Sequence, residues 1–352
     1  MIEKVVEILK SGGVVAVPTE TVFGLVADAR KEEAVKRIYR IKERPESKPL
    51  TAFVKDIESL RNLGEYAHPG VENLIGRFMP GPLTIIMKAK PDVPAPIVSD
   101  EGKVGVRIPD HPVIKEILAK LDFPLASTSA NISGKPPLFS FKDVKSILGD
   151  KVDYVVEEDA DGKLPSTVLD VSENVPVLNR KGPVSLLDIE EILEDEIKFS
   201  EDLILDIIFL CTGNTCRSPM AAWILKNKLD EDLILNVEVV SRGTDASSGM
   251  PMNEFAVEVL KEKGYRVGPH FSQRLTESDV KAADIVYCME KYHLDRVREI
   301  SERNVARMFS PDGEEVPDPI GHQLSFYRIV REMIEHTIEN HILPYVKRKF
   351  SR

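Results

Sequence analysis

The chain has 352 residues, of which 42% are hydrophobic and 30% charged, and its formal net charge at pH 7 is -11. This length exceeds what one hydrophobic core usually organises, so we expect two domains. The acidic balance argues against sequence-independent wrapping of nucleic acid, because neutralising phosphates requires a basic surface. Three cysteines do not make a secreted disulfide framework, and no apolar run reaches the roughly 18 residues of a membrane span. We therefore expect a cytoplasmic protein without a membrane span.

The first half of the chain alternates helical and strand-like patterns. Helices are predicted near residues 3–10 and 32–41, and strands near 13–17, 84–88, 104–108, 152–156 and 166–170. Pro-Gly and Gly-Pro steps punctuate the joins, as at Gly182-Pro183. The pattern predicts a mixed α/β domain over residues 1–183.

A connecting segment follows this domain. Acidic residues recur at helical spacing from Ser185 to Asp202 with Leu and Ile between them, which predicts a linker helix over residues 184–204. The apolar run at residues 203–210 is then typical of a strand buried on both faces of a parallel sheet. We expect it to open a second α/β domain over residues 205–352.

The second domain begins with a strand, a glycine-containing loop and a helical segment. The loop reads CTGNTCRS from Cys211 to Ser218, and backbone N–H groups in such a unit can converge on an anion. The Cys-x5-Arg spacing lets the Cys211 thiol sit beneath that anion while the Arg217 guanidinium binds two of its oxygens. The same groups favour thiolate over thiol. The loop therefore predicts a cysteine-dependent phosphatase, whereas a lone cysteine would more often be a packed core residue.

Several loop residues are expected to support the nucleophile. Ser218 is placed to hydrogen-bond the thiolate, and Asn214 to brace the loop, because Asn tolerates left-handed backbone conformations. The predicted phosphate-binding loop consists of Thr212, Gly213, Asn214, Thr215, Cys216 and Ser218.

Phosphoryl transfer to sulfur also needs a proton donor for the leaving group and later a base for water. Asp318 is the candidate, since the prolines on either side hold its loop rigid. Asp312 is the competitor, and an Asp-Pro step by itself is more often a simple turn.

The second domain resembles the low-molecular-weight protein phosphatases over essentially its full length. The matching segments are CTGNTCRSP at 211–219, SRGT at 241–244, GMP at 249–251, HFS at 270–272, ADIV at 283–286 and the late Asp318-Pro319. The resemblance implies that Cys211 is the nucleophile, Arg217 binds phosphate and Asp318 is the acid. It also implies phosphorylated protein substrates and no cofactor.

Two positions bear on the substrate. Thr215 stands where tyrosine phosphatases of this family usually carry a longer aliphatic residue. In this respect the loop resembles that of the protein-arginine phosphatase branch. The short hydroxyl of Thr215 offers a hydrogen bond to a guanidinium leaving group. Ile320 replaces the tyrosine that often follows Asp-Pro, so an aromatic clamp for phosphotyrosine is missing there. We expect phosphoarginine, with phosphotyrosine as the alternative.

Two other classes compete for this domain. An arsenate reductase would need further downstream cysteines for a disulfide relay, and only Cys288 follows, although Cys216 could pair reversibly with Cys211. A module that only binds phosphorylated proteins would have no need of a nucleophile.

The first domain carries polar segments that spacing alone does not interpret. A basic cluster in IKERPESKPL, residues 41–50, can bind phosphate or form a solvated helix end. The segment STSANISG at 127–134 suits an anion-binding loop or a turn equally.

Together with other segments, these resemble the YrdC-like threonylcarbamoyl-AMP synthases from about residue 5 to 183. The segments are PTETVFGL, IKERPESKPL, FMPGPLT, VGVRIPDHP, STSANISGKP, PSTVLD and LNRKGP, in family order. The resemblance implies a twisted mixed sheet around a positively lined cavity that binds ATP, threonine and bicarbonate and yields threonylcarbamoyl-adenylate. Downstream tRNA-modification enzymes would then use that product.

The same resemblance implies roles for individual residues. Threonine would contact Thr21, Arg107, Ser129 and Ser166, and the ATP phosphates or ribose would face Lys42, Arg44, Lys48, Asn131 and Arg180. Mg²⁺ is expected to accompany ATP, but no carboxylate cluster would hold it without substrate phosphate, so no metal site is predicted. A related module that binds double-stranded RNA without catalysis is the alternative.

Overall fold

The computed structural model describes residues 1–351 and divides the chain into two compact units. The first unit comprises Met1–Val184 with Ile189–Ile197, and the second comprises Ser185–Asp188 with the chain from Lys198 onward. Within residues 1–351, no helix has both the length and the apolar character needed to cross a membrane.

The first unit is a mixed α/β structure. Its helices are α1 Ile2–Ser11, α2 Glu32–Lys42, α3 Ile57–Leu63, α4 Val71–Phe78, α5 Pro112–Ala119 and α6 Phe141–Leu148, with a 3-10 turn at Ala95–Ile97. Its strands are β1 Val15–Val17, β2 Gly24–Asp28, β3 Thr51–Phe53, β4 Gly64–Glu65, β5 Leu83–Ala89, β6 Lys103–Arg107, β7 Leu125–Ser129, β8 Tyr154–Val155, β9 Thr167–Asp170 and β10 Val177–Arg180. The helices and strands predicted for this half are confirmed, with ends shifted by one or two residues.

The strands of the first unit form one mixed sheet. Their order is β10-β9-β5-β6-β3-β7-β2-β1-β8, and β4 pairs with β5. The pairs β1–β8, β3–β6 and β5–β9 are parallel, while β2–β7 and β5–β6 are antiparallel. The predicted mixed sheet is therefore confirmed.

One face of β7 shows how this sheet combines a core with a polar cavity. Residues two apart on a strand share a face, so Leu125, Ser127 and Ser129 point the same way. Leu125 packs in a cluster with Val5, Leu9 and other residues of α1, α5 and the sheet. Ser127 and Ser129 instead line a cavity. Hydrophobic burial therefore fixes the strand register, and that register aims the serines.

The connecting segment differs from the predicted helix of residues 184–204. Helix α7 covers only Leu186–Leu193 and the short strand β11 covers Lys198–Phe199. Ser185 begins the helix, because its Oγ accepts the N–H of Asp188 at 3.0 Å. Glu194 ends it with a left-handed backbone, φ 52°. The predicted helix extends beyond Glu194 because the acidic residues keep their helical spacing there and no glycine marks the end of the helix in the sequence.

The second unit is a parallel α/β structure. Its strands are β12 Leu205–Cys211, β13 Val237–Gly243, β14 Ile285–Cys288 and β15 Ala306–Met308. Its helices are α8 Arg217–Glu231, α9 Glu254–Glu262, α10 Glu277–Ala282, α11 Lys291–Ile300, α12 Leu324–Thr337 and α13 Leu343–Phe350, with a π-helical turn at Ile338–Ile342. The order β13-β12-β14-β15, parallel throughout, confirms the predicted parallel sheet.

Strand β12 lies between β13 and β14 and is buried on both faces, as its apolar sequence predicts. Ile207, Phe209 and Leu210 are each at most 1% exposed. The strand ends at Cys211, and helix α8 begins at Arg217. The loop between them therefore opens at the carboxyl edge of the sheet, where ligands of parallel α/β folds bind.

Candidate active sites

The Cys211 thiol lies at the base of the loop between β12 and α8 and is 3% exposed. Its sulfur is 3.0 Å from Ser218 Oγ and accepts the backbone N–H of Asn214 at 3.3 Å. Donors that point at sulfur favour the charged form of a thiol. The loop thus has the geometry that nucleophilic attack by a thiolate requires.

Asn214 connects the loop to its surroundings and has a left-handed backbone, φ 55°. Its Nδ2 donates to Ser218 Oγ at 3.0 Å and to Ser241 Oγ at 2.9 Å. Its Oδ1 accepts the N–H of Gln273 at 2.9 Å, and its carbonyl oxygen is 2.7 Å from His270 Nε2. Every polar group of this buried side chain is used, so the loop conformation is strongly determined.

The Arg217 guanidinium is buried and contacts the predicted acid. Its Nη2 donates to Asp318 Oδ2 at 2.6 Å, and its Nη1 donates to the carbonyl of Val316 at 2.9 Å and to the Glu290 carboxylate. Asp318 Oδ1 also accepts the N–H of Ile320 at 3.0 Å. The structure therefore brings Arg217 and Asp318 together at the loop.

Asp312, the competing candidate acid, is placed differently. Its Oδ1 accepts from Ser310 Oγ at 2.5 Å and from the N–H of Glu314 at 3.1 Å. These bonds, the one from Ser310 foremost, lower the pKa of Asp312. The Asp312 carboxylate accepts hydrogen bonds within its own turn, whereas the Asp318 carboxylate accepts one from Arg217.

Glu290 and His293 belong to this site but escaped sequence reasoning. His293 Nδ1 accepts the N–H of Glu290 at 3.0 Å, so the ring proton is on Nε2, which lies 3.0 Å from Thr212 Oγ1. Burial lowers the pKa of His293 to about 4, so the neutral ring donates to Thr212. A usable signal exists, because both residues lie within five positions of the carboxyl end of β14, which is at the same sheet edge as Cys211.

The other two cysteines differ in their surroundings. All three thiols are free. Cys216 Sγ is 3.6 Å from the hydroxyl of Tyr327, and burial raises the pKa of Cys216. Cys288 ends the buried strand β14, and burial raises its pKa strongly. Neither thiol therefore has the activating environment of Cys211.

In the first unit, six of the nine residues expected to bind threonine or ATP line one cavity of about 110 Å³. These six are Thr21, Arg44, Arg107, Ser129, Ser166 and Arg180. Five further Ser and Thr residues line the same cavity and were not predicted, namely Thr19, Thr51, Thr84, Ser127 and Thr128. Three guanidinium groups amid hydroxyls suit an anionic ligand.

Hydrogen bonds hold two of these arginines against the cavity wall. Arg107 donates through Nε to the carbonyl of Gly81 at 3.1 Å and through Nη2 to Thr21 Oγ1 at 2.9 Å. Arg180 donates through Nη2 to Ser166 Oγ at 2.9 Å. Burial and the nearby charges of Arg107 and Arg44 lower the pKa of Arg180 to about 10. The guanidinium groups are desolvated and repel one another, which increases their attraction for an anion.

The other three of these nine residues do not line this cavity, and they are Lys42, Lys48 and Asn131. Lys42 is 2% exposed, and its Nζ donates to the carbonyl of Ser129 at 2.5 Å and to the carbonyl and Oδ1 of Asn131 at 2.8 and 2.9 Å. Burial, with the charge of Arg44, lowers the pKa of Lys42 to about 7. Lys42 and Asn131 thus support the loop after β7, while the Lys48 side chain is exposed.

Candidate metal ligands do not converge in the structure. Among residues 1–351, no three His, Cys, Asp or Glu side chains are arranged to hold a metal ion.

Two family models match the chain. The Sua5/YciO/YrdC model, described as telomere recombination, matches residues 7–182, and the low molecular weight phosphotyrosine protein phosphatase model matches residues 206–351. The first match covers half of the chain. The chain therefore belongs to the Sua5/YciO/YrdC family, and in it that domain is fused to a low-molecular-weight phosphatase domain.

Individual relatives resemble one domain or the other. The threonylcarbamoyl-AMP synthase of Bacillus subtilis is 37% identical over 188 residues, which is 53% of this chain and 54% of the relative. The chain thus spans about half the length of that relative. A Sua5 mutant of P. abyssi has 25% identity and a TM-score of 0.54 and covers 87% of this chain and 94% of its own. The YwlE arginine phosphatase of Geobacillus stearothermophilus has 32% identity and a TM-score of 0.38 over 42% of this chain and 98% of its own.

Proposed function

We propose that the chain is a bifunctional enzyme. Its first unit makes L-threonylcarbamoyladenylate from ATP, threonine and bicarbonate, for use by downstream tRNA-modification enzymes. Its second unit hydrolyses phosphorylated proteins through a phosphocysteine intermediate, with phosphoarginine as the preferred substrate. The observation that carries the phosphatase is the contact of Arg217 with Asp318 beside the Cys211 loop. The observation that carries the synthase is the cavity lined by three arginines and eight Ser or Thr residues.

The cavity of the first unit suits adenylyl transfer. Arg44, Arg107 and Arg180 would bind ATP phosphates and the carboxylate of threonine, and the hydroxyls would orient the amino acid. The reaction develops charge on departing pyrophosphate, which fixed cations stabilise without reorganisation. Mg²⁺ would enter with ATP and neutralise part of that charge. The name of the B. subtilis relative supports this assignment.

The loop of the second unit suits phosphoryl transfer to sulfur. The Cys211 thiolate would attack phosphorus while the Arg217 guanidinium and the loop N–H groups bind the phosphoryl oxygens. Asp318 would protonate the leaving group and then take a proton from the water that attacks phosphocysteine. Because the protein supplies all of these groups, the proposed phosphatase reaction needs no cofactor.

Two side chains support phosphoarginine. The backbone of Thr215 is fixed by a 2.9 Å hydrogen bond from the N–H of Asn253 to its carbonyl. The short side-chain hydroxyl of Thr215 lies 3.7 Å from Cys216 Sγ and would bond a guanidinium leaving group. Ile320, 62% exposed, adjoins Asp318 where an aromatic clamp would otherwise lie. The exposed Phe271, which directly follows the loop-contacting His270, favours phosphotyrosine instead and keeps it the second candidate.

The phosphatase proposal is tested with the purified full chain on phosphoarginine and phosphotyrosine peptides, side by side with Cys211→Ser. We expect faster release of phosphate from phosphoarginine and no release by the variant. A Thr215→Ile variant should shift the preference toward phosphotyrosine, because its longer side chain cannot bond the guanidinium. Turnover that persists in Cys211→Ser would refute the mechanism, and a phosphotyrosine preference of the unaltered chain would refute only the substrate.

The synthase proposal is tested by incubating the chain with ATP, Mg²⁺, threonine and bicarbonate and measuring pyrophosphate and threonylcarbamoyladenylate. Arg180→Ala should lose most of the activity. Arg77→Ala, an exposed arginine on α4, should retain it. Absence of product together with tight binding of double-stranded RNA would favour the non-catalytic alternative.

A further inference from the structure

This inference rests on the proposed synthase function and concerns the amino group of threonine. That group arrives as an ammonium ion, which has no lone pair for attack on the carbon of bicarbonate. The side chains that line the cavity supply hydroxyls, apolar groups and three guanidinium groups. Hydroxyls and guanidinium groups are poor proton acceptors at neutral pH. None of the lining side chains is therefore suited to take this proton.

Glu20 is a carboxylate in that position. It lies between Thr19 and Thr21, both of which line the cavity. Its Oε1 accepts from Arg107 Nη2 at 2.6 Å, and the same nitrogen bonds Thr21 Oγ1 at 2.9 Å. The carboxylate is thus joined to the cavity wall through one guanidinium group.

The second carboxylate oxygen of Glu20 lacks a hydrogen-bond partner. Oε2 is buried and has no hydrogen-bond partner, and the side chain is only 14% exposed. A buried carboxylate oxygen without a donor is unfavourable, so proteins seldom keep one without a purpose. An ammonium group supplies both a donor and an opposite charge. A turn of the carboxylate about its Cγ–Cδ bond exchanges the two oxygens, so either can meet a ligand.

The backbone at Glu20 is held firmly. Thr19 Oγ1 accepts the N–H groups of Thr21 and Val22 at 3.1 and 3.2 Å and donates to the carbonyl of Val22 at 2.6 Å. A Cβ on Gly162 would lie 2.5 Å from the carbonyl oxygen of Glu20, so the segment at Gly162 covers this turn closely. The Glu20 side chain therefore extends from a rigid backbone, which keeps a proton-transferring group in a fixed position.

We propose that Glu20 binds the ammonium group of threonine in this cavity and removes a proton from it. The proton passes to the carboxylate, and the electron pair of the N–H bond stays on nitrogen as a lone pair. That pair forms a bond to the carbon of bicarbonate. The hydroxyl of bicarbonate leaves as water with a second proton from nitrogen, which gives the carbamate of threonine. The carbamate oxygen then attacks the α-phosphorus of ATP, pyrophosphate departs, and Glu20 returns its proton to solvent.

Lys42 is the competing base, since its pKa is lowered to about 7. Its nitrogen, however, has three acceptors within 2.9 Å, the carbonyl of Ser129 and two oxygens of Asn131. Three acceptors match the three hydrogens of an ammonium group, whereas a neutral amine could donate to only two. Lys42 therefore stays protonated, and Glu20 is assigned the role of the base.

The test compares the full chain with Glu20→Gln, Glu20→Asp and the exposed control Glu33→Gln, measuring pyrophosphate release against pH. Glu20→Gln should lower kcat about 100-fold near neutral pH, the usual contribution of a general base. Its rate should then climb with pH as solution deprotonates threonine itself, while the unaltered chain stays level. Glu20→Asp should retain the level profile at reduced rate, and Glu33→Gln should match the unaltered chain.

Threonine binding, followed by titration calorimetry, separates a chemical role from a structural one. If Glu20→Gln loses binding but keeps the pH profile of the unaltered chain, Glu20 merely positions Arg107 and the proposal is wrong. Unchanged kcat in Glu20→Gln would also overturn it. If the unaltered chain makes no threonylcarbamoyladenylate, the proposed synthase function fails and the assignment of Glu20 fails with it.

Discussion

Replacing Asn214 with Asp should suppress the nucleophile through charge alone. Asp has nearly the shape of Asn, tolerates the left-handed backbone and keeps the acceptor for the N–H of Gln273. It replaces Nδ2, however, with a negatively charged oxygen. Both Nδ2 and Cys211 Sγ are 3.0 Å from Ser218 Oγ. The new charge therefore lies within about 6 Å of the sulfur.

The magnitude follows from Coulomb's law. Two like charges about 6 Å apart repel by roughly 3 kcal/mol at an effective dielectric constant of about 20. Asn214 is 0% exposed, so salt screens this repulsion little. A cost of that size disfavours negative charge on the Cys211 sulfur by about 100-fold. Phosphatase turnover and thiol alkylation should fall together, because both require the thiolate.

Alkylation by iodoacetamide at pH 7, with peptide mass spectrometry to identify Cys211, measures this directly. Asn214→Ala is the uncharged control, since it removes the two Nδ2 hydrogen bonds that Asp also removes, and the acceptor for Gln273 besides, without adding charge. We expect it to slow alkylation less than Asn214→Asp does, because a loosened loop places no negative charge beside the sulfur. Equal rates for the Asp and Ala variants would refute the electrostatic reasoning.

Three further predictions concern the second unit, whose Trp223 is the only tryptophan of the chain and so reports its unfolding by fluorescence. His293 has a pKa of about 4 when folded and 6.5 as its ordinary value, so the unfolded state binds more protons between these values. Urea stability should therefore fall as pH drops from 6.5 toward 4, and less so in His293→Asn. Arg217→Lys keeps the positive charge but loses the planar guanidinium that can donate two hydrogen bonds to one phosphoryl group, so the phosphatase kcat should fall about 10²–10³-fold. Gly243→Ala should abolish turnover, because its Cβ would lie 2.5 Å from the carbonyl oxygen of Thr212.

Each of these has a result that would contradict it. A pH dependence of stability that is the same in His293→Asn would show that another group titrates. Full turnover by Arg217→Lys would mean that a point charge is enough for phosphate binding. An active Gly243→Ala variant would mean that the loop carbonyl can move without cost to the site.

Local sequence determined the parts of the molecule in which the chemistry lies within a few consecutive residues. The apolar run before Cys211 predicted a buried parallel strand, since only such a strand can be apolar on both faces. The spacing of Cys211 and Arg217 then predicted a phosphate loop, because strand, loop and helix N-terminus follow one another directly. The structure places six of the nine residues that the family segments of the first half predicted around one cavity.

Tertiary structure decided which distant side chains meet these segments. Glu290, His293 and Ser241 reach the loop only because β13 and β14 pair with β12 on either side and end at the same edge. Asp318 and Asp312 look alike as local patterns, yet only Asp318 contacts Arg217. Such contacts depend on strand order and helix packing, which no local spacing encodes.

The same reason separates the basic residues of the first unit. Lys42 and Lys48 lie six positions apart in one segment, but the end of α2 buries the first, while the second is exposed. Glu20 was inconspicuous between two threonines until the fold placed Arg107 against it. Residue type and spacing determine what a side chain can do, and the three-dimensional packing determines what it acts upon.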